Sequence, residues 1–101
     1  MVTIRLFCAA GMSTSLLVNK MKESATKRGI EADIAAFPEG QMDKHLDGVN
    51  VALLGPQVGY RLANAKALCG PKGIPVEVIP MVDYGMMNGA KVLDLALGLV
   101  K

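Results

Sequence analysis

Cys8 is preceded by Ile4-Arg5-Leu6-Phe7 and followed by Ala9, Ala10, Gly11, Met12, Ser13, Thr14, Ser15 and Leu16. A thiol at the end of a short strand, before a loop of small residues that opens into a helix, stands beside unpaired backbone N–H groups. Such a place binds anions and favours thiolate over thiol. Glycine permits unusual dihedrals, and consecutive N–H groups form an anion-holding concavity. Ser13, Thr14 and Ser15 have hydroxyls able to cap the helix or to bond phosphate oxygens. A cysteine so placed is suited to carry a phosphoryl group. The plain alternative is a small buried hydrophobe, the default for a cysteine and the reading for Cys69, late in an amphipathic segment.

Two other phosphate chemistries fit less well. No Gly-Lys-Ser/Thr follows the loop, so it is not a nucleotide-binding Walker A sequence. A cysteine-dependent phosphatase has an arginine six positions after its cysteine, where the guanidinium clamps phosphate oxygens and holds transition-state charge. Here that position is Thr14. Without the clamp a thiophosphate survives until a better acceptor arrives, so a carrier fits better than a phosphatase.

The elements that position this loop follow from hydrophobic spacing. Val2 to Phe7 reads as a strand and Met12 to Arg28 as an amphipathic helix with Leu17, Met21 and Ala25 on one stripe. Gly29 follows as its C′ residue. Ile30 to Phe37 alternates, with charges that suggest an edge strand. Residues 38 to 48 read as a loop or a single helical turn. Val49 to Leu54 is apolar apart from Asn50, as in a strand covered on both faces. After Gly55-Pro56-Gln57-Val58-Gly59, Tyr60 to Leu68 reads as a helix closed by Gly70-Pro71-Lys72-Gly73. Ile74 to Ile79 is a fourth strand, Met81 to Gly89 a loop and Ala90 to Val100 a final helix.

Strands alternating with helices imply an α/β fold with a parallel sheet and right-handed crossovers. The site then lies at the carboxyl ends of the strands. Three segments converge there: Cys8–Ser15, Gly55–Gly59 and Pro80–Gly85. The first and third strands belong inside the sheet and the second and fourth at its edges. Arg5 fits poorly in an interior strand.

The 101 residues suffice for one domain, residues 1–101. A net charge of +2 argues against nucleic acid. No run approaches the roughly 20 apolar residues of a membrane helix. The N-terminus does not read as a signal peptide, and two distant cysteines form no disulfide framework. A cytoplasmic domain with reduced thiols is the expectation, and neither a metal nor an organic cofactor is suggested.

With Leu6-Phe7-Cys8-Ala9-Ala10-Gly11-Met12-Ser13-Thr14-Ser15-Leu16-Leu17-Val18 in view, the chain resembles the enzyme IIB component, lactose/cellobiose/chitobiose class, of the bacterial phosphoenolpyruvate-dependent sugar phosphotransferase system. The likeness extends through residues 31–39, Val51-Ala52-Leu53-Leu54-Gly55-Pro56-Gln57-Val58, Pro75-Val76-Glu77-Val78-Ile79 and Tyr84-Gly85. It implies a four-stranded parallel sheet of order 2-1-3-4 with helices on both faces, resembling low-molecular-weight tyrosine phosphatases without their arginine. It further implies that Cys8 accepts a phosphoryl group from a phosphohistidine of the IIA component. Cys8 then passes the group to a sugar held by the membrane IIC component.

On that resemblance Cys8 is the nucleophile, and backbone N–H groups from Ala9 to Ser15 (Ala9, Ala10, Gly11, Met12, Ser13, Thr14, Ser15) hold the phosphoryl oxygens. Gln57 and Tyr84, on neighbouring loops, either reach the phosphoryl group or are ordinary turn and packing residues. Asp83 reads as a solvated loop residue and His45 as an exposed helix or turn residue. Met12, Met81, Met86 and Met87 fill the core or form an adaptable docking surface. The rivals are a cysteine phosphatase or arsenate-reductase-like enzyme, and an interaction module that signals through the state of Cys8.

Overall fold

The computed structural model describes residues 1–9 and 12–100; Ala10 and Gly11 lie outside them, as do the side chains of Met12 and Ser13. Strand β1 (Val2–Cys8) leads into helix α1 (Met12–Lys27), then β2 (Ala32–Pro38), β3 (Val51–Leu54), α2 (Leu62–Cys69), β4 (Val76–Val78), α3 (Met81–Gly85) and α4 (Gly89–Leu99). The strands form one parallel sheet of order β2-β1-β3-β4, as expected.

Alternation along the interior strands supplies two cores. Ile4 and Leu6 of β1, with Val51 and Leu53 of β3, face a layer made by Leu17, Val18 and Met21 of α1 and Val92, Leu93 and Ala96 of α4. Phe7, Ala52 and Leu54 face the opposite layer, with Met42, Ala65 and Cys69. Each such fully buried large side chain contributes about 1.5–3 kcal/mol from leaving water. All four residues of β3 are buried, which explains its unbroken apolar run. Asn50, the polar interruption, lies just before the strand. Its Oδ1 accepts from Thr3 N–H at 2.8 Å and its N–H donates to Thr3 O at 2.9 Å.

The helix ends follow the local rules. Gly29 takes φ +69°, the left-handed turn that closes α1. Asn88 caps α4 by accepting from Lys91 N–H at 3.2 Å. The segment expected to be a loop after Pro80 is instead the five-residue helix α3. Its short sequence carries no periodic signal, and the turn is set by burying Tyr84 against the core. The polar connection after β2 holds a 3₁₀ turn, Glu39–Lys44, and a second, Pro56–Arg61, takes Tyr60 and Arg61 from the expected helix, so that α2 begins at Leu62. β4 is shorter than expected; Pro75 precedes it, yet its carbonyl accepts from Ala52 N–H at 3.0 Å.

Arg5 also finds its explanation. Its guanidinium reaches the edge strand, donating to Asp33 O at 2.9 Å and pairing with the Asp33 carboxylate at 3.1 Å. The hydrogen bond from Arg5, with its charge, holds the Asp33 carboxyl below the usual range. That contribution is complete above the ordinary carboxylate pKa and is lost as pH falls through the lowered value. Because Asp33 is largely exposed, Asp33→Asn is expected to cost only about 0.5 kcal/mol at pH 7. In urea titrations the difference from wild type should shrink as the pH falls below the ordinary carboxylate range and vanish once Asp33 is protonated.

Helices α1 and α4 cross closely at Gly89. A Cβ there would stand 2.4 Å from the Lys20 carbonyl carbon and 2.6 Å from Met21 N. Gly89→Ala must therefore push the helices apart, and urea denaturation is expected to show a loss of about 1–3 kcal/mol.

Candidate functional site at the carboxyl ends of the strands

Cys8 is the last residue of β1, an interior strand paired on both sides, and is 1% exposed. It stands in register with Pro38 of β2. On its other side the chain of β3 turns away at Gly55, whose N–H donates to Phe7 O at 2.8 Å. Glycine at position 55 leaves this corner uncrowded. A Cβ on it would lie 3.2 Å from the Cys8 Cβ and 2.5 Å from Gln57 Oε1. The Gln57 amide thus folds back over Gly55, close to Cys8.

Two of the three converging segments are anchored by backbone bonds. The 3₁₀ turn carrying Gln57 starts at Pro56, is held by Val58 N–H to Gly55 O at 3.0 Å, and buries Val58. Helix α3 is tied to the sheet by Ile79 N–H to Leu54 O at 2.8 Å and closed by Tyr84 N–H to Pro80 O at 3.0 Å. Thr14 lies in the first turn of α1 and is fully buried.

The side chains of these segments meet at the Tyr84 hydroxyl. Gln57 Nε2 donates to it at 3.0 Å, and Thr14 Oγ1 lies 3.2 Å from it, with either hydroxyl able to donate. Gln57 and Tyr84, singled out from the sequence, are therefore bonded to each other. Thr14, grouped with the phosphate loop, has its hydroxyl engaged by Tyr84. Ser15 is exposed and borders a surface groove with Val18, Asn19 and Lys22 of α1 and Ile34 to Ala36 of β2. Ala9 is exposed.

Other candidates fall away from this cluster. Cys69 is fully buried in the opposite core, where burial pushes its thiol pKa up. Asp83 is half-buried in α3, its carbonyl accepting from Asn88 N–H at 2.9 Å. His45 is not an exposed residue: it is half-buried and stacks on Phe37, ring centroids 3.7 Å apart and 6° from parallel. Met81 and Met86 are exposed, whereas Met87 packs against the core. The ion pair of Arg61 with Glu39, at 3.2 Å, joins the segment after β3 to that after β2 and has no short-range signature in the sequence. Among the described residues no cluster of His, Cys, Asp and Glu is placed to hold a metal, and no helix is long and apolar enough to cross a membrane.

The fold and this strand-end cysteine can be set beside known proteins. The family "PTS system, Lactose/Cellobiose specific IIB subunit" matches residues 3–95. The chain belongs to this family. It is 44% identical to the galactose-specific EIIB component of Lactococcus lactis subsp. cremoris MG1363 and 44% identical to the cellobiose-specific EIIB component of Lactococcus lactis subsp. lactis IL1403, in each case over 96% of this chain and 94% of the relative. It is 40% identical to the oligo-β-mannoside-specific EIIB component of Bacillus subtilis 168, over 99% of this chain and 97% of the relative.

Among solved structures, the cellobiose-specific IIB component of Borrelia burgdorferi superposes with a TM-score of 0.81 at 41% identity, covering 98% of this chain and 91% of that one. The lactose-specific IIB domain of Streptococcus pneumoniae superposes with a TM-score of 0.88 at 18% identity, over 99% of this chain and 98% of that one, and bears on the fold alone. EIIB components are phosphotransferases of the sugar phosphotransferase system and work with IIA and IIC partners.

The close packing at Gly55 is testable in this IIB chain. Gly55→Ala is expected to displace the Gln57 amide from Tyr84 and to cost about 1–2 kcal/mol in urea denaturation. Adding Gln57→Ala should then cost little more, since the contact it removes is already broken.

Proposed function

We propose that Cys8 is the residue through which this IIB component carries phosphate. The Cys8 thiolate attacks the phosphorus of a phosphohistidine on the IIA component; the S–P bond forms as the N–P bond breaks, and the imidazole leaves. A hydroxyl of a sugar bound by the membrane IIC component then attacks the same phosphorus. The S–P bond breaks, the thiolate is regenerated, and the hydroxyl proton is lost to a base or water. The sugar is a β-linked disaccharide of the cellobiose, chitobiose or lactose type, and the chain works in the cytoplasm beside IIC.

The observation that carries this reading is the place of Cys8. It ends an interior strand just before α1, beside Gly55 and Gln57, in a chain of this family. Phosphohistidine has a good leaving group, so positioning and modest charge stabilisation by backbone N–H groups from Ala9 to Ser15 suffice. The absence of an arginine at position 14 agrees with a carrier. There the side chain is a buried threonine bonded to Tyr84, so no guanidinium comes from that position to drive hydrolysis. Apolar side chains exposed on α1, on α3 and just after α3, Leu16, Met81, Val82 and Met86, supply a surface for partners met in turn.

Intact-mass spectrometry tests the proposal, after incubation with phosphoenolpyruvate, the two general phosphotransferase proteins and a matching IIA. One phosphoryl group is expected on wild type and none on Cys8→Ser, with discharge when sugar and IIC membranes are added. Absence of the adduct from wild type would refute the carrier role. Release of phosphate from aryl phosphates would then favour the phosphatase alternative.

A further inference from the structure

We propose that Tyr84 is a positioning residue for phosphoryl transfer, its hydroxyl fixing the amino end of α1 relative to Cys8 by joining Thr14 to Gln57. The inference rests on the reading of Cys8 as the carrier and adds a device to it. The Tyr84 ring belongs to the core layer of Leu17, Met21 and Val92, and the residue is only 9% exposed. Its hydroxyl accepts from Gln57 Nε2 at 3.0 Å and lies 3.2 Å from Thr14 Oγ1. Gln57 is itself confined, its Oε1 pressed over Gly55 beside the Cys8 Cβ. One oxygen thus ties the helix that follows the cysteine to the two loops that flank it.

The need for such a tie follows from what position 14 lacks. An arginine there would adapt to the phosphoryl oxygens and tolerate small displacements of the helix. A row of backbone N–H groups cannot adapt, because its aim is the aim of the whole helix end. Misplacement by about 1 Å is enough to cost up to about a hundredfold in rate. The Tyr84 ring helps hold α3 in the core; the hydroxyl adds a tie to the first turn of α1.

Tyr84→Phe keeps the ring and removes the tie. In single-turnover transfer from phosphorylated IIA, the rate at saturating donor is expected to fall about tenfold with the half-saturating concentration unchanged. A residue that only stabilises the fold would leave the rate of the folded protein untouched. Thr14→Val should slow transfer by a similar factor, and Thr14→Ser, which keeps the hydroxyl, should be several-fold faster than Thr14→Val. Because the two residues act through one contact, Tyr84→Phe with Thr14→Val should be no slower than either alone.

Wild-type rate in a folded Tyr84→Phe would overturn the proposal. So would losses that multiply in the double variant, which would mean that each hydroxyl acts on the phosphoryl group independently. Failure of the carrier reading would appear separately, as wild type that takes up no phosphate at all.

Discussion

A phenol buried in a core must find partners for its oxygen, because an unsatisfied polar group there costs about 1–3 kcal/mol. In this chain that requirement falls on Tyr84, whose hydroxyl bonds Thr14 and Gln57 from different segments. The carboxyl end of the sheet is therefore not three independent loops. Helix α1, the turn after β3 and helix α3 are fastened to one atom, and Gly55 leaves the room in which Gln57 can reach it. Much else serves to bring these segments within reach: the parallel order of the strands, the burial of β3 on both faces and the close crossing of α1 with α4.

This arrangement recasts the meaning of position 14. In a phosphatase-like loop it would hold a cation aimed at the substrate. Here its side chain is turned into the protein and tied there. Where an arginine would present a charged fork to phosphate, this chain has a small hydroxyl whose bond runs to a buried tyrosine. Transfer from phosphohistidine, as proposed for this chain, would make the smaller demand on charge stabilisation.

The interior position of β1 and β3 and the extent of α1 were legible in the sequence because each rests on a local pattern: periodicity, a glycine after a helix, an apolar run; the full strand order came from the family resemblance. The three segments of the site could be named because parallel α/β sheets gather their loops at one end. What could not be read were relations between distant residues. Nothing near Pro80 announces α3, because one helical turn has no period and is held by the burial of Tyr84. Nothing near Arg5 announces Asp33, 28 positions on. His45 stacks on Phe37 through a turn whose polar sequence reads as surface. The pairing of Thr14 with Tyr84 crosses 70 positions, and only the packed sheet brings it about.

The sheet also separates the two thiols of the chain. Cys8 follows Ile4 and Leu6 in the alternation of β1 and so shares their face of the sheet, whereas Cys69 is packed with Ala52 and Leu54 on the other side. The two thiols thus belong to opposite faces of the sheet. Under oxidative stress, a Cys8 sulfenic acid would have no resolving partner within its own chain. It would have to be rescued by an external thiol such as glutathione or proceed to the irreversible acids. The sheet that sets Cys8 apart from Cys69 thereby also determines how this protein can be damaged and from where it can be repaired.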